Sequence, residues 1–455
     1  MDSGTILLAF SLLGIVWYTA LWAIGLMGCL TARKRYRLRP RSPSASAPRE
    51  TVPGVSILRP LKGLDPNLYE NLESTFTQEY PNFEILLSVA DENDQALPVV
   101  RELMVRYPSV DAKIIIGEEN VGVNPKVNNL VRSYRAAAND ILWVLDSNVM
   151  VDRGTLARSV DVLVGSPSSS TQSKRIGLVH HAFYASANTL ALGAQIEEAF
   201  LNTNHAKMYV AINTAAVDSC VVGKSNMYRR SDVERVNGSL KPLSGRKDDS
   251  TSEPCGLPAF GRFLAEDNMI AGALWHELGL RHDLSCDVVQ NVVGDMTVMD
   301  YVKRRVRWIR VRKHMVLAAT LAEPFTESIV LSAIAASSAK YLFGFPPLLL
   351  LPVHFALWLY VDMDVYASLV GYPMPTAKRF QFIFAWAARE MLALPIYLFA
   401  ILGDEVEWRG RKYQVLRNGE VKRSSGTGWF DRLRWPGSRV DLNQYERLGV
   451  DVESS

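Results

Sequence analysis

The stretch Ile141-Leu142-Trp143-Val144-Leu145-Asp146-Ser147-Asn148 runs through five apolar residues and stops on a carboxylate. Such a run, closed by polar residues, reads as a short buried strand. In open α/β sheets ligands gather at the carboxyl ends of the strands, so an acid at this point faces a crevice rather than the core. Asp146 is therefore a candidate ligand, and its hard oxygen atoms suit a cation such as magnesium or manganese. An isolated strand-Asp pair more often serves merely as the cap of the next turn. The rest of the chain has to decide between the two.

Working outward, the pattern alternates. Val55-Ser56-Ile57-Leu58 reads as a first strand, a polar helical segment passes through Leu68, Leu72 and Phe76, and a second strand over 83–90 ends on Asp91. Helical spacing over 97–107, a strand over 113–116 and a helix over 126–138 lead back to the Asp146 strand. Downstream, the spacing predicts a strand over 176–180 and helices over 190–202 and from 263 to about 278; residues 299–319 form a strongly basic helical segment. The Ser-rich stretch 166–174 reads as a loop, and 237–256, rich in Gly, Ser, Pro and charge without periodicity, as a surface insertion. Strands alternating with helices imply an α/β fold, a mainly parallel sheet with helices on both faces.

The ends of the chain differ from its middle. Of 455 residues 48% are apolar, which fits a mixture of soluble and membrane parts. Residues 3–31 carry no charge and 6–30 are mostly apolar, long enough to cross a bilayer. This segment starts with Asp2 and is followed by Arg33-Lys34-Arg35-Tyr36-Arg37, so residues 1–32 read as an N-terminal transmembrane anchor, not a cleaved signal peptide. The positive-inside rule places the chain beyond the anchor in the cytosol. Residues 33–53 form a basic, Pro/Ser-rich linker, 54–320 the folded domain, and 321–405 a C-terminal membrane region. Within that region 345–361 and 380–402 are membrane candidates, the second despite Arg389 and Glu390, while 329–343 is short enough to lie along the interface. A basic tail, 406–455, returns to the cytosol and favours an even number of crossings before it. Four scattered cysteines suggest neither a disulfide framework nor a zinc site, and a net charge of +3 is too small to argue for nucleic acid; with basic clusters beside apolar segments, a lipid bilayer surface is the expected partner and no nucleic acid.

Three acids, Asp91, Asp146 and Asp267, and the cluster Arg304-x-x-Arg307-Trp308 carry the candidate chemistry. Taken singly, Glu266-Asp267 also reads as a helix-dipole pair, and 304–312 as a basic interfacial helix. Their succession resembles that of inverting, metal-dependent glycosyltransferases of the GT-A type. More narrowly, the chain resembles the ceramide glucosyltransferases over about 55–320. The motifs are 56–67 (SILRPLKGLDPN), 122–130 (GVNPKVNNL), Asp146-Ser147-Asn148, Gly177-Leu178-Val179-His180, Asn204-His205, Cys220-Val221-Val222-Gly223, Ala265-Glu266-Asp267 and Arg304-Arg305-Val306-Arg307-Trp308.

The resemblance implies an enzyme that moves glucose from UDP-glucose to the primary hydroxyl of ceramide with inversion. It implies Asp91 beside the uridine, Asp146 at a divalent metal (Mg2+ or Mn2+) and the diphosphate, and Asp267 as catalytic base. Arg307 and Trp308 would act at the reacting centre, and Arg304, His205 and Lys126 in substrate binding. Lys126 also reads as a helix-surface charge and His205 as a loop histidine. Two departures from the wider pattern stand out. Asn148 replaces the second acid of Asp-x-Asp, which lowers the ligand charge and leaves most metal ligands to diphosphate and water. Arg304 replaces the Gln of polysaccharide synthases, which fits a single-transfer lipid enzyme. A processive chitin- or hyaluronan-type synthase needs a channel for which two or three C-terminal segments are few, and an inactive scaffold would have lost acids that are all present. The implied setting is multi-pass in a Golgi-type endomembrane, with the catalytic domain facing the cytosol.

Overall fold

A computed structural model of the chain describes residues 2–165, 174–187, 189–242, 254–408, 411–416 and 419–423. Most of the expected Ser-rich loop, the centre of the expected insertion and the tail after 423 lie outside the described residues. After α1 (Ser3–Tyr36) come β1 (Val55–Leu61), α2 (Leu68–Phe76), β2 (Phe83–Val89), α3 (Ala96–Arg106), β3 (Ala112–Ile116), α4 (Pro125–Ala136) and β4 (Ile141–Leu145). Next in the chain are β5 (Val149–Met150), α5 (Thr155–Val164), β6 (Ile176–Ala187), α6 (Leu192–Phe200), a π-helical turn (Leu201–His205), α7 (Ala206–Ala215), β7 (Ser225–Arg229) and α8 (Arg230–Val233). The last part holds α9 (Glu266–His276), β8 (Arg281–Val293), α10 (Val298–Met315), α11 (Leu317–Ala322), α12 (Ser328–Phe343), α13 (Pro347–Val370), α14 (Thr376–Ile401), β9 (Glu405–Trp408), β10 (Arg411–Val415) and β11 (Val421–Arg423).

Eight strands form one sheet in the order β3-β2-β1-β4-β7-β6-β8-β5. The pairs β2·β3, β1·β2, β1·β4 and β6·β8 are parallel, and β4·β7, β6·β7 and β5·β8 antiparallel. The period-2 alternation of each strand decides which face a side chain joins. Ile57, Leu87 and Trp143 pack under α2, α3 and α5, whereas Leu58, Leu86, Leu142 and Val144 pack under α4 and α9. Chain direction along the sheet reverses between β1 and β4, so their carboxyl ends open the crevice that doubly wound sheets use for ligands. Asp146 follows β4 directly.

Two local readings need correction. The strand expected to end at 180 continues to Ala187, because β8 pairs with it along its length. In the stretch expected from 406 on as a basic tail, β9, β10 and β11 form a three-stranded antiparallel sheet. Its Val406, Tyr413, Val415 and Val421 bury against Val123, Leu264 and Val311 of the domain. The segment over 329–343, short enough for the interface, becomes α12 and packs along α1, Gly14 against Ser338. Together α11 and α12 make a helix pair bent by 66°. By length and composition α1, α13 and α14 are each able to cross a membrane.

The anchor is built into the fold. α1 continues to Tyr36, beyond the expected end at 32, and a side chain at Gly28 would collide with the Lys207 carbonyl of α7. Arg33 and Arg37 each lie 3.0 Å from the Asp364 carboxylate of α13, and Arg35 pairs with Asp283 of β8. Within the expected linker the Ser42 hydroxyl donates to Asp161 of α5 (2.5 Å).

Candidate active site

At the end of β4 the chain turns through Asp146-Ser147-Asn148 over a buried arginine. Arg59 of β1, fully enclosed, donates to the carbonyls of Val149 (3.2 Å) and Ser147 (3.4 Å), and the Ser147 hydroxyl donates to Asp65. The Asp146 N–H donates to the Lys224 carbonyl (3.2 Å), which ties this turn to the start of β7. The loop is thereby held rigid from below while its carboxylate points outward.

The motif at 122–130 builds the opposite wall. Asn124 caps α4, its side-chain oxygen accepting from the N–H groups of Lys126 (2.9 Å) and Val127 (3.3 Å), and Pro125 takes the first helical position where no N–H is needed. Its amide donates to the Glu266 carboxylate (2.8 Å) and the Phe263 carbonyl (2.8 Å). Gly122 is required because any side chain there would strike the Gly261 backbone. The helix start therefore delivers Lys126 between two acids: its ammonium lies 2.7 Å from Asp146 and 2.9 Å from Glu266. Its side chain thus lies in the cavity wall between the two acids and not on an open helix surface.

Lys224, which the sequence pattern does not single out, completes the cluster. Its ammonium sits 3.1 Å from both Asp146 Oδ2 and Asn148 Oδ1. Burial works against the Asp146 carboxylate, but the charges of Lys126 and Lys224 outweigh it and hold the group down at about 2. Burial likewise opposes the Lys126 ammonium, and Asp146 and Glu266 still raise it well above its ordinary value. Both groups stay charged across the physiological range.

Asp267 has the opposite setting. It occupies the first turn of α9, and Glu266 beside it is taken up by Lys126 and Asn124. Burial and the Glu266 charge push the Asp267 carboxyl up to about 7. Gly223 lies against it: a methyl group there would come within 2.6 Å of Oδ2. Gly223, at the end of the Cys220–Gly223 segment, thus leaves open the space that the carboxyl occupies.

Asp146, Asp267, Lys126, Lys224, His205, Arg304, Arg307 and Trp308 all line one cavity of about 900 Å³. Its far wall is α10, whose Val311 and Met315, with Val316 just beyond its end, add apolar surface. Arg304 is paired with Glu197 of α6 at 2.8 Å and lies 5.2 Å over the Trp308 ring, so it also steadies that ring. His205 ends the π-helical turn, stacks on Tyr209 with ring centroids 5.8 Å apart, and faces Trp308 at 6.2 Å. Burial and the neighbouring arginines lower it to about 3, so it is a neutral ring. Asp91 stands apart. It is exposed at the end of β2, accepts from the Asn93 N–H (2.7 Å), and its neighbour Ala90, not Asp91 itself, contributes to the cavity wall.

For a divalent cation the protein offers one carboxylate and one amide oxygen, Asp146 and Asn148, both already facing Lys224. No group of three or more His, Cys, Asp or Glu side chains is gathered for a metal among the described residues. This donor set fits a cation that arrives with a diphosphate and takes its other ligands from it and from water.

The sequence model of glycosyl transferase family 21 matches residues 15–245 and 247–421. The chain belongs to glycosyl transferase family 21. Among curated relatives, a ceramide glucosyltransferase of Komagataella phaffii is 36% identical over 461 residues, covering 89% of this chain and 90% of that one. One of Candida albicans is 32% identical, covering 89% and 96%. Ceramide glucosyltransferase 1 of Caenorhabditis elegans is 29% identical, covering 84% and 75%. A solved mannosyltransferase of Pyrobaculum calidifontis, in complex with GDP-Man and Mn2+, superposes with a TM-score of 0.44 at 18% identity, covering 84% of this chain and 99% of that one. As a family 21 glycosyltransferase the chain is a transferase, and its motifs at 122–130, 146–148, 220–223 and 304–308 are the segments that meet around the cavity.

Proposed function

We propose that this family 21 enzyme transfers glucose from UDP-glucose to the primary hydroxyl of ceramide with inversion, giving β-glucosylceramide and UDP. One observation carries the reading: a single cavity holds a carboxylate kept ionised among lysines, Asp146, and a carboxyl kept near neutrality, Asp267. The ceramide glucosyltransferases among its relatives, matched over nearly their whole length, support the acceptor and the sugar.

Asp267 accepts the hydroxyl proton as the hydroxyl oxygen attacks the anomeric carbon, and the bond to the diphosphate breaks on the opposite face. A base titrating near the working pH combines an available lone pair with enough basicity. Lys126, Lys224 and Arg307 carry cationic charge along the wall where the diphosphate departs, and such charge stabilises the transition state most in a water-poor cavity. A magnesium or manganese ion held by Asp146 and Asn148 would add further neutralisation of the diphosphate. Trp308 and the apolar wall of α10 receive the acceptor, which is nearly insoluble in water and reaches the site from the bilayer. Asp91 serves at the uridine edge of the crevice. The basic flank after α1 supports a cytosolic catalytic domain on a Golgi-type membrane.

The test is to incubate the purified chain with ceramide and, separately, UDP-glucose, UDP-galactose and UDP-N-acetylglucosamine, then identify lipid products by mass spectrometry. Monohexosylceramide from UDP-glucose is expected. A soluble polymer, or no lipid product with any donor, overturns the proposal.

A further inference from the structure

Both ends of α14 are fastened to one folded domain. At its start Lys378 and Phe382 share a cavity of about 370 Å³ with Ala187 of β6 and Glu198 of α6. At its other end Arg310 of α10 donates to the carbonyls of Ala400 (3.3 Å) and Glu405 (2.6 Å), and Lys313 donates to those of Ile401 (3.2 Å) and Gly403 (3.1 Å). Midway, Arg389 lies 5.2 Å over the Phe200 ring of α6. A helix of 26 residues is about 39 Å long, more than the roughly 30 Å of a hydrocarbon core. Standing upright, α14 would put its cavity with α6 and its junction with β9 on opposite sides of the bilayer. A single sheet domain cannot occupy both sides.

The other apolar helices are arranged as spans. The Tyr341 hydroxyl near the end of α12 donates to the Gly4 carbonyl at the start of α1 (3.4 Å), and the basic end of α1 meets Asp364 near the end of α13. So α12 runs antiparallel to α1, and α13 runs parallel to it.

We propose that α14 lies along the bilayer surface on the catalytic side, its outer stripe embedded among the acyl chains of that leaflet, and that the chain crosses the membrane three times, through α1, the bent α11–α12 pair and α13. Phe380, Phe384, Met391, Leu398 and Leu402 recur at helical spacing and are all exposed. Trp386, Arg389, Glu390 and Tyr397 face the other way and are buried against the protein. The exposed row holds no charge, extends about 33 Å and begins just beyond the turn that ends α13, so it is continuous with a span and fits lipid. Two crossings after the catalytic domain return the chain to the side on which β9–β11 pack. α14 also backs α10, which sets the Trp308 wall of the catalytic cavity one helix away from the acyl chains.

The experiment uses the full-length chain reconstituted in sealed vesicles, with labelled peptides identified by mass spectrometry and the exposed native Cys255 marking the catalytic side. Cysteines are introduced at exposed positions before, between and after the helices concerned: Phe345→Cys, Thr376→Cys and Glu407→Cys, each checked for retained activity. An impermeant maleimide should label positions 376 and 407 together with Cys255, and position 345 only after detergent. A second arm places an environment-sensitive fluorophore at Phe384→Cys, Met391→Cys and Leu398→Cys and measures quenching by lipids brominated at known depths. Equal, shallow depths support the proposal. A depth gradient of about 1.5 Å per residue, detergent-dependent labelling of only one of 376 and 407, or a stripe that no lipid quencher reaches because a second copy covers it, overturns it.

Discussion

Replacing Gly223 by alanine tests the seat of the proposed base without touching the base itself. The added methyl would stand 2.6 Å from Asp267 Oδ2 and 2.8 Å from Cγ, about 0.8 Å short of ordinary van der Waals contact. The carboxyl has the cavity to swing into, so it moves and the fold survives; the thermal midpoint should change by no more than a few degrees. A displacement near 1 Å in a reacting group costs about a hundredfold in rate, or roughly 2.7 kcal/mol. Turnover and KM for ceramide in lipid-detergent micelles, with UDP affinity by calorimetry, would register a fall of about a hundredfold in kcat and little change in UDP affinity. The double variant Gly223→Ala/Asp267→Asn provides the control: if the methyl acts through Asp267, it should cost less than about threefold in the Asp267→Asn background. Full activity in Gly223→Ala, or the same loss in both backgrounds, would refute the reasoning.

Asp267→Asn should lower turnover by about a hundredfold to ten-thousandfold while UDP-glucose affinity is kept; loss of both in proportion would make the residue a donor ligand. Because its carboxyl titrates at about 7 and only the ionised form accepts a proton, kcat/KM of the unaltered chain should fall about tenfold per pH unit below that value and level off above it. That acid limb should be absent in Asp267→Asn, and a limb persisting at the same pH assigns the titration elsewhere. Asp146→Asn leaves Lys126 and Lys224 without their shared carboxylate, so transfer should be lost and UDP-sugar binding in the presence of metal weakened, with circular dichroism unchanged; near-normal turnover removes Asp146 from the site. Arg307→Lys keeps the charge but loses the planar fork, and both nucleotide affinity and rate should drop by about ten- to a hundredfold, read by the same two assays. Lys224→Met should weaken UDP binding by about tenfold when divalent metal is scarce and less when it is abundant, as titrations at two metal concentrations would reveal.

The sequence carried the sheet because each strand is a short apolar run and each helix keeps a 3.6-residue period, signals confined to a few neighbouring residues. Asp146 and Asp267 were legible for the same reason: each closes or opens a local pattern. The Lys126–Glu266 pair joins residues 140 positions apart, and only the topology brings them to 2.9 Å. Lys224 gives no periodic signal at all; its one pointer is its place directly after the Cys220–Gly223 motif. In β9–β11 the apolar residues alternate, but the strands are three to five residues long and studded with charge, so the stretch reads as tail. For Asp91 the strand end was legible, but only the structure shows that its side chain stands outside the cavity wall. Mean apolarity averages over all faces of a helix, so the exposed stripe of α14 emerged only from the packing.

The seam between α1 and its partners also sets a timetable for synthesis. Arg33 waits for Asp364, 331 residues later. At the roughly 5–20 residues per second of translation, that interval lasts about 17 to 66 s. For most of it the side of α1 that will receive α13, with Cys29 and Tyr36, is already made and lacks its final cover. A nascent chain stalled in that window offers other hydrophobic segments a ready groove. A chain released before residue 364 is made therefore keeps that side of α1 uncovered, however complete its sheet.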